Sequence, residues 1–536
     1  MIALSVFQAA QILSATLVSS PSDSSQAGDR SDSSTKITSV VTDSRQASEG
    51  SLFVAIKGER VDGHDYVNQA ARAGACAALV EHPVEGAVLP QLMVTDTIGS
   101  LGRLARYNIS RRRQIALAEG KDFTVVGITG SVGKTTTKDL VKDLLQTAGT
   151  TIAPVGSFNN EIGLPLTAVK VDETTRYFVA EMGASAAGEI AYLTRLVPPD
   201  IAVELKVGAA HLGGFGSVDG IRQAKSELVQ ALTSQGIAVL NAQDPNIRLM
   251  TGSTHASTLV WFSDGRIDPR NLPGDSRKQI FIYATDTRQD QEDHPSFTLH
   301  LPDLPGIPVT LGLSGVHNVM NALAAVSVAY CLGVRPQTIA SVLFNHKAMS
   351  PHRMAVSLVT LTAGESSGES SGGSSGESFT LIDDSFNANP DSMKAGLDAL
   401  SGWKSAEPGN EPVKIAVLGS MLELGPREED LHHSLGAYAA QSADYVVTVG
   451  SETDDHLDTL ASALCQGACQ RAEQSPVRLL KAYEEHSAGQ AAARVAQLAR
   501  QNPGSVVLLK GSHASGLQTL ANMWSQSDKI NGEVES

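Results

Sequence analysis

The stretch FTVVGITGSVGKTTT, residues 123–137, combines residue types that can hold a polyphosphate. A run of β-formers ends at Ile128, a glycine-bearing turn follows, and Lys134 and Thr135 lead into a helix expected from about Thr136. Gly130 and Gly133 let backbone N–H groups approach phosphate oxygens with no Cβ in the way. The loop Gly130, Ser131, Val132, Gly133, Lys134, Thr135 and Thr136 is therefore the candidate ATP cradle. Lys134 would reach the β- and γ-phosphates, and the Thr135 hydroxyl would ligate Mg2+. The generic GxxxxGK[ST] pattern asks for glycine where this chain has Ile128, so the motif is the narrower TGxxGKT. By itself such a loop leaves kinase, motor, switch and ligase open.

Other chemistry-bearing residues fall at further strand ends. YFVAEMG, residues 177–183, is a β-run that ends on Glu181. In an open α/β sheet ligands bind at the carboxyl ends of strands, which makes Glu181 a candidate metal ligand as readily as a surface glutamate. His211 sits in the glycine-rich GAAHLGGFGS, where imidazole can ligate a metal or simply bond within its loop. Lys225 lies on the expected helix VDGIRQAKSELVQAL, and its spacing reads as a solvated lysine near Glu227. Asn159 and Asn160 in GSFNNEIGLPLT could bond a peptide-like or sugar substrate, or serve turn chemistry.

These residues need strands and helices to hold them. Runs rich in Val, Ile and Leu recur at 51–56, 91–95, 123–128, 177–182, 200–207, 236–240, 379–383, 413–418, 444–449 and 505–509. Helical periodicity falls between many of them, at 137–147, 218–232, 317–332 and 391–400. The alternation predicts an α/β architecture of parallel sheets with crossover helices. Boundaries near 120 and 346 divide the 536 residues into three α/β domains, 1–120, 121–346 and 347–536. Segments 19–35 and 362–378 are rich in Ser, Gly and acid, and about 263–295 is charged and turn-rich; all three read as surface loops.

Composition narrows the function. Lys plus Arg total 41 against 57 Asp plus Glu, a formal charge of -16, which excludes a generally basic nucleic-acid binder. Four scattered cysteines make no disulfide framework and, with only a CxxxC pair at Cys465 and Cys469, no zinc site, so a reduced, cytoplasmic compartment is expected. No run is long and apolar enough to span a membrane, and residues 1–19 lack the basic start of a signal peptide, reading instead as an amphipathic helix.

Taken together, TGSVGKTTT, GSFNNEIGLPL, EMGAS, AHLGGFGS with Ala224-Lys225, GVHNVMNALAA, DDSFNANPDSM, LGSMLELG and LLKGS resemble the Mur ligases, over about residues 40 to 520 outside the insertions. The phosphate loop is common to that family and to folylpolyglutamate-type ligases; GSFNNEIG, DDSFNANPDSM and LGSMLELG are more specific. They resemble the member that joins D-alanyl-D-alanine to UDP-N-acetylmuramoyl-tripeptide, with ATP and Mg2+, in peptidoglycan precursor synthesis. DSR (43–45), GSLFVAIKG (50–58) and DGHDY (62–66) are similar to that member's nucleotide-sugar-binding domain.

The resemblance implies three domains: a UDP-sugar domain, a central ATPase-like sheet and a Rossmann-like C-terminal domain that closes over ATP and binds the dipeptide. A monomer is expected, with UDP-N-acetylmuramoyl-tripeptide and D-alanyl-D-alanine as its partners and no nucleic acid. It gives Lys134, Glu181, His211 and Lys225 catalytic roles, with Thr135, Glu181, His211 and Lys225 around metal and Lys225 as the carbamylated lysine. Asn318, Arg353, Asp384 and Asn387 would contact ATP, Ser44 and Arg45 the UDP moiety. An open-to-closed hinge is expected near 346–355. Three departures stand out: His513 where Arg is usual, His352 where Gly is typical, and Glu204 to Lys206 in place of a short polar pair.

Three other functions compete, of which a non-catalytic scaffold with a relic nucleotide site is weakened by the intact Lys134, Thr135, Glu181 and His211. A ligase adding a diamino acid or a glutamate would need a different acceptor motif, and no DNPR-like segment occurs. A nucleotide-driven switch would leave GSFNNEIG and LGSMLELG without a role.

Overall fold

The computed structural model describes residues 1–18, 35–58, 61–208, 212–273, 277–290, 293–347, 352–361, 378–404 and 411–532. Three large sheets follow one another along the chain, and Leu4–Ser5 pairs antiparallel with Lys36–Ile37 in a separate two-stranded one. The first has five strands in the order Thr16–Val18, Gln91–Met93, Ala77–Val80, Ser51–Val54, Ser39–Val41. All its pairs are parallel except that of Thr16–Val18 with Gln91–Met93. The N-terminal segment forms a helix over Val6–Leu13 only, closed at one end by a Ser5–Gln8 capping box and at the other by Ser14 at φ 53°. It buries Val6, Ala9, Ala10 and Leu13, the i, i+3, i+4, i+7 face of an amphipathic helix.

The helix Thr97–Glu119 carries the chain to the central sheet. Asp96 caps its start and Gly120, at φ 62°, ends it. Its buried Asn108 fastens the two regions: the side-chain amide donates to Ala168 O and Val171 O at 3.0 and 2.7 Å, and accepts from Ile2 N at 3.2 Å. A buried amide needs such partners, because each unmet bond costs about 1–3 kcal/mol.

The central sheet has nine strands: Ile307–Thr310, Pro295–His300, Lys278–Gln289, Thr258–Asp264, Ile237–Asn241, Ile201–Glu204, Thr124–Thr129, Tyr177–Glu181, Thr151–Ile152. The first two are antiparallel additions; the rest run parallel. The third sheet orders Ala355–Thr360, Ser378–Asp383, Val506–Lys510, Lys414–Gly419, Tyr445–Val449, Lys481–Glu485, parallel but for its first pair. In both larger sheets the inner parallel strands are almost wholly buried, with helices on their faces, while Lys278–Gln289 and Lys481–Glu485 are largely half-buried or exposed. No helix among the described residues is long and apolar enough to cross a membrane.

The expected loop over 263–295 is corrected. It contains the twelve-residue strand Lys278–Gln289 and the start of Pro295–His300. Turn-forming DGR, DPRN and PGDSR hide the strand, and its own far half, ATDTRQ, is polar because it pairs with an antiparallel neighbour at the half-exposed margin of the sheet. The two Ser/Gly-rich segments lie outside the described residues, apart from Thr35 and Ser378.

Candidate functional site

The phosphate loop leaves a strand whose last five residues are buried. Gly130 and Gly133 sit at φ 156° and 83°, and an added Cβ would meet Leu205 Cβ at 2.8 Å and Asn321 Oδ1 at 2.3 Å respectively. Only glycine therefore gives this turn, and Asn321 is part of its mould. Lys134 opens the following helix, Lys134–Gln146, and curls back so that Nζ donates to Gly130 O at 2.8 Å. Burial pushes its ammonium below the usual lysine range; Glu181 opposes the shift and Arg353 adds to it.

Register places Glu181 opposite Ile128, level with the end of the phosphate-loop strand. Glu181 is fully buried. One carboxylate oxygen accepts from Thr135 Oγ1 at 3.0 Å and the other from Asn159 Nδ2 at 2.8 Å. Thr135 and Glu181 thus form a compact oxygen pair beside the phosphate loop, a donor set suited to a hard cation such as Mg2+. Asn160 is spent on its own turn, accepting from Gly163 N at 2.9 Å.

Behind this cluster lies a second one. Glu204 pairs in register with Thr129, and the helix Val218–Gln230 packs over that face, with Leu228 against Gly127. Glu204 is fully buried and Lys225 3% exposed. Neither Glu204 oxygen nor Thr129 Oγ1 has a hydrogen-bond partner. Burial pushes the Glu204 carboxyl well above its ordinary range, with Lys225 opposing and Asp244 adding. Burial, aided by Lys134, pushes Lys225 down to about 7, with Glu204 opposing. The solvated Lys225 read from its spacing is corrected: residues two apart face different sides of a helix, and Glu227 is engaged elsewhere, accepting from Gly188 N and Ala191 N at 2.7 and 2.8 Å.

The third region supplies a roof. The Arg353 guanidinium stacks 4.1 Å from the Phe386 ring and donates to Thr135 Oγ1 at 3.4 Å, while its Nε lacks a partner. His352 holds φ 61°, which is why glycine suits that position, and its ring bonds Asp383 at 2.7 Å. Lys510 ion-pairs with Asp384 and donates to Asn387 O at 3.2 Å. Asn318 donates to Ser314 O at 2.7 Å and accepts from Asn321 at 2.8 Å. Sequence reasoning assigns no role to Lys510 or Asn321; the LLKGS strand end and the GVHNVMN helix start are the signals that point to them.

One cavity of about 1400 Å³ joins these parts. It is lined by Gly130 through Thr136, Asn159, Asn160, Glu181, Lys225, Asn318, Arg353, Asp384 and Asn387. Ser44 and Arg45 are not among its walls: Ser44 is buried against Gln69, and Arg45, 80% exposed, pairs with Asp43. His211 lies outside the described residues. His513 is at the surface, bonded to Gln518 at 2.9 Å.

A phosphate loop at the end of a parallel sheet, roofed by a second such sheet across a shared cavity, defines a nucleotide-using enzyme of several domains. Three family models match in order: "Mur ligase family, catalytic domain" at 36–109, "Mur ligase middle domain" at 128–329 and "Mur ligase, glutamate ligase domain" at 372–513. The chain belongs to the Mur ligase family. It is 36% identical to the UDP-N-acetylmuramoyl-tripeptide–D-alanyl-D-alanine ligase of Mycobacterium bovis, over 97% of this chain and 98% of that one. It is 36% identical to the enzyme of the same name from Escherichia coli, over 77% and 81%. Among solved structures it is similar to MurF from Acinetobacter baumannii, with TM-score 0.74 and 29% identity over 98% and 99% of the two chains. It is also similar to MurF from Thermotoga maritima in complex with ADP, with TM-score 0.68 and 27% identity over 92% and 98%.

Proposed function

We propose that the chain is an ATP-dependent ligase that joins D-alanyl-D-alanine to UDP-N-acetylmuramoyl-tripeptide, releasing ADP and phosphate, in the cytoplasmic synthesis of peptidoglycan precursor. The observation that carries this reading is the Lys134–Thr135–Glu181–Asn159 cluster, in a cavity whose roof is Arg353, Asp384 and Lys510. Similarity to relatives of that name along nearly the whole chain supports the choice of substrates.

An oxygen of the tripeptide's terminal carboxylate attacks the γ-phosphorus of ATP; the bond to the β-phosphate breaks, ADP leaves and an acyl phosphate forms. The amine of D-alanyl-D-alanine then attacks the acyl carbon. The tetrahedral intermediate expels phosphate, which carries off one oxygen of the original carboxylate, and the amine proton is lost. The first step turns a poor leaving group into a good one. Phosphoryl transfer asks the protein mainly for position and charge. The loop amides and Lys134 fix the phosphates, and Arg353 brings a second cation from the roof. Asn318, Asp384 and Asn387 would orient the nucleoside, and Asn159 holds Glu181 in position. Mg2+ would supply charge neutralisation at the transferring phosphoryl group, one ion held by Thr135 and Glu181 and a second placed by Glu181 and His211, with a carbamylated Lys225 as a further anionic group. Ser44 and Arg45 would serve the UDP moiety of the sugar nucleotide.

The test is phosphate release by the purified protein with ATP and UDP-muramoyl tripeptide, with and without D-alanyl-D-alanine. Release that needs both substrates supports the proposal. Release with no acceptor, or only with a dipeptide precursor plus a diamino acid, contradicts it.

A further inference from the structure

We propose that Lys206 and Asp391 form an interdomain latch that positions the C-terminal domain on the phosphate loop, which makes both of them positioning residues for the ligation. The inference rests on the ligase reading and starts from one of the sequence departures, the lysine of Glu204–Lys206.

Residues 206–208 are stitched to the phosphate loop. Ser131 N donates to Lys206 O at 2.8 Å, Gly208 N donates to Ser131 Oγ at 2.9 Å, and Ser131 Oγ in turn bonds Gly208 O at 3.2 Å. The first turn of the helix Pro390–Gly402, in the C-terminal domain, docks on the same residues. Lys206 Nζ lies 3.1 Å from Asp391 Oδ1. Asp391 Oδ2 comes so close to Gly208 that a Cβ there would stand 2.1 Å from it. Asn389, the cap of that helix, donates to Ser131 O at 3.5 Å. Three contacts from one helical turn thus converge on the residues that tether Ser131.

A further contact beside the cavity is of a different kind. Gly213 N donates to Glu423 O at 3.1 Å, a bond between backbone groups. Among the described residues Lys206 and Asp391 add an ion pair to this docking, beside the contact of Arg353 with Thr135, and both line the cavity. Their side chains are 44% and 31% exposed, so the pair is weak by the standard of a buried one and makes and breaks readily. That suits a contact that must open for product release. A pair of this strength biases an open-to-closed equilibrium only a few fold. Because the lysine shares a tether with Ser131, docking of the C-terminal domain is coupled to the phosphate loop.

The test is a double-mutant cycle of Lys206→Met, Asp391→Asn and both together in the full-length protein. Two readouts are followed: KM for D-alanyl-D-alanine against kcat, and the radius of gyration by X-ray scattering with a non-hydrolysable ATP analogue. Each single change is expected to raise KM about two- to fivefold, with kcat within about 1.5-fold, and to expand the nucleotide-bound particle. The double variant is expected to be no worse than the more impaired single one. Multiplying effects, or singles that leave KM and dimensions unchanged, overturn the latch. A wild-type protein with no dipeptide-dependent phosphate release would overturn the functional reading instead, while scattering still decides the latch.

Discussion

Two carboxylates stand at the ends of the two strands that flank the phosphate-loop strand, and live in opposite conditions. Glu181 faces the cavity with both oxygens bonded, to Thr135 and Asn159. Glu204 faces the helix Val218–Gln230, equally buried, with neither oxygen bonded and Lys225 the nearby cation. The first is pre-set for work with a cation and phosphate. The second is a charge kept out of water without partners, a state that burial resolves by favouring the neutral acid. Residue type and burial are the same; the partners make the difference.

The comparison can be broken at several points. Lys134→Ala removes the cation of the front cluster and should lower kcat by about a thousandfold or more, with the melting temperature retained. Phosphate release and a thermal scan check both halves. Glu181→Gln keeps the shape and removes the charge; a fall of about a hundredfold in kcat and a raised Mg2+ requirement are expected. Glu204→Gln is the matched control. Because the native carboxyl is held toward its neutral form, the same substitution should change kcat less than about threefold. Equal losses at 181 and 204 would erase the distinction.

Smaller effects should appear in the pH dependence of stability. Glu204 has a folded pKa above its unfolded value, so it lowers stability as pH rises beyond the ordinary glutamate value of 4.5. Glu204→Gln should therefore gain on the wild type over that range in urea titrations. Lys225 is the mirror case in protein kept free of bicarbonate, where its amine is uncarbamylated: with its folded pKa down to about 7 from 10.5, stability should rise with pH across that window, and Lys225→Met should flatten the rise. A curve level from pH 7 to 10 in that bicarbonate-free protein would contradict the burial of a free amine there.

The same contrast governs what can be read from the sequence. The phosphate loop is legible because its chemistry is local: a β-run, two glycines, Lys134 and Thr135 within fifteen consecutive residues. Glu181 is legible as the polar end of an apolar strand. Lys225 is not, since its burial depends on which face of its helix meets the sheet, a long-range fact that spacing to Glu227 cannot carry. Glu204 stands out in the sequence only as a departure, and its isolation is a property of packing. The strand Lys278–Gln289 is hidden by its turn-rich flanks, and the pairing of Lys510 with Asp384 joins residues far apart in the chain.

The central claim is that an oxygen of the tripeptide carboxylate becomes bonded to the phosphoryl group. It is tested by supplying UDP-muramoyl tripeptide labelled with 18O in its terminal carboxylate, together with ATP and D-alanyl-D-alanine, and weighing the released phosphate. The expected result is one 18O in each phosphate, with the other retained in the new amide. Phosphate free of label would contradict an acyl phosphate intermediate, and with it the role of the Lys134–Glu181 cluster in forming one.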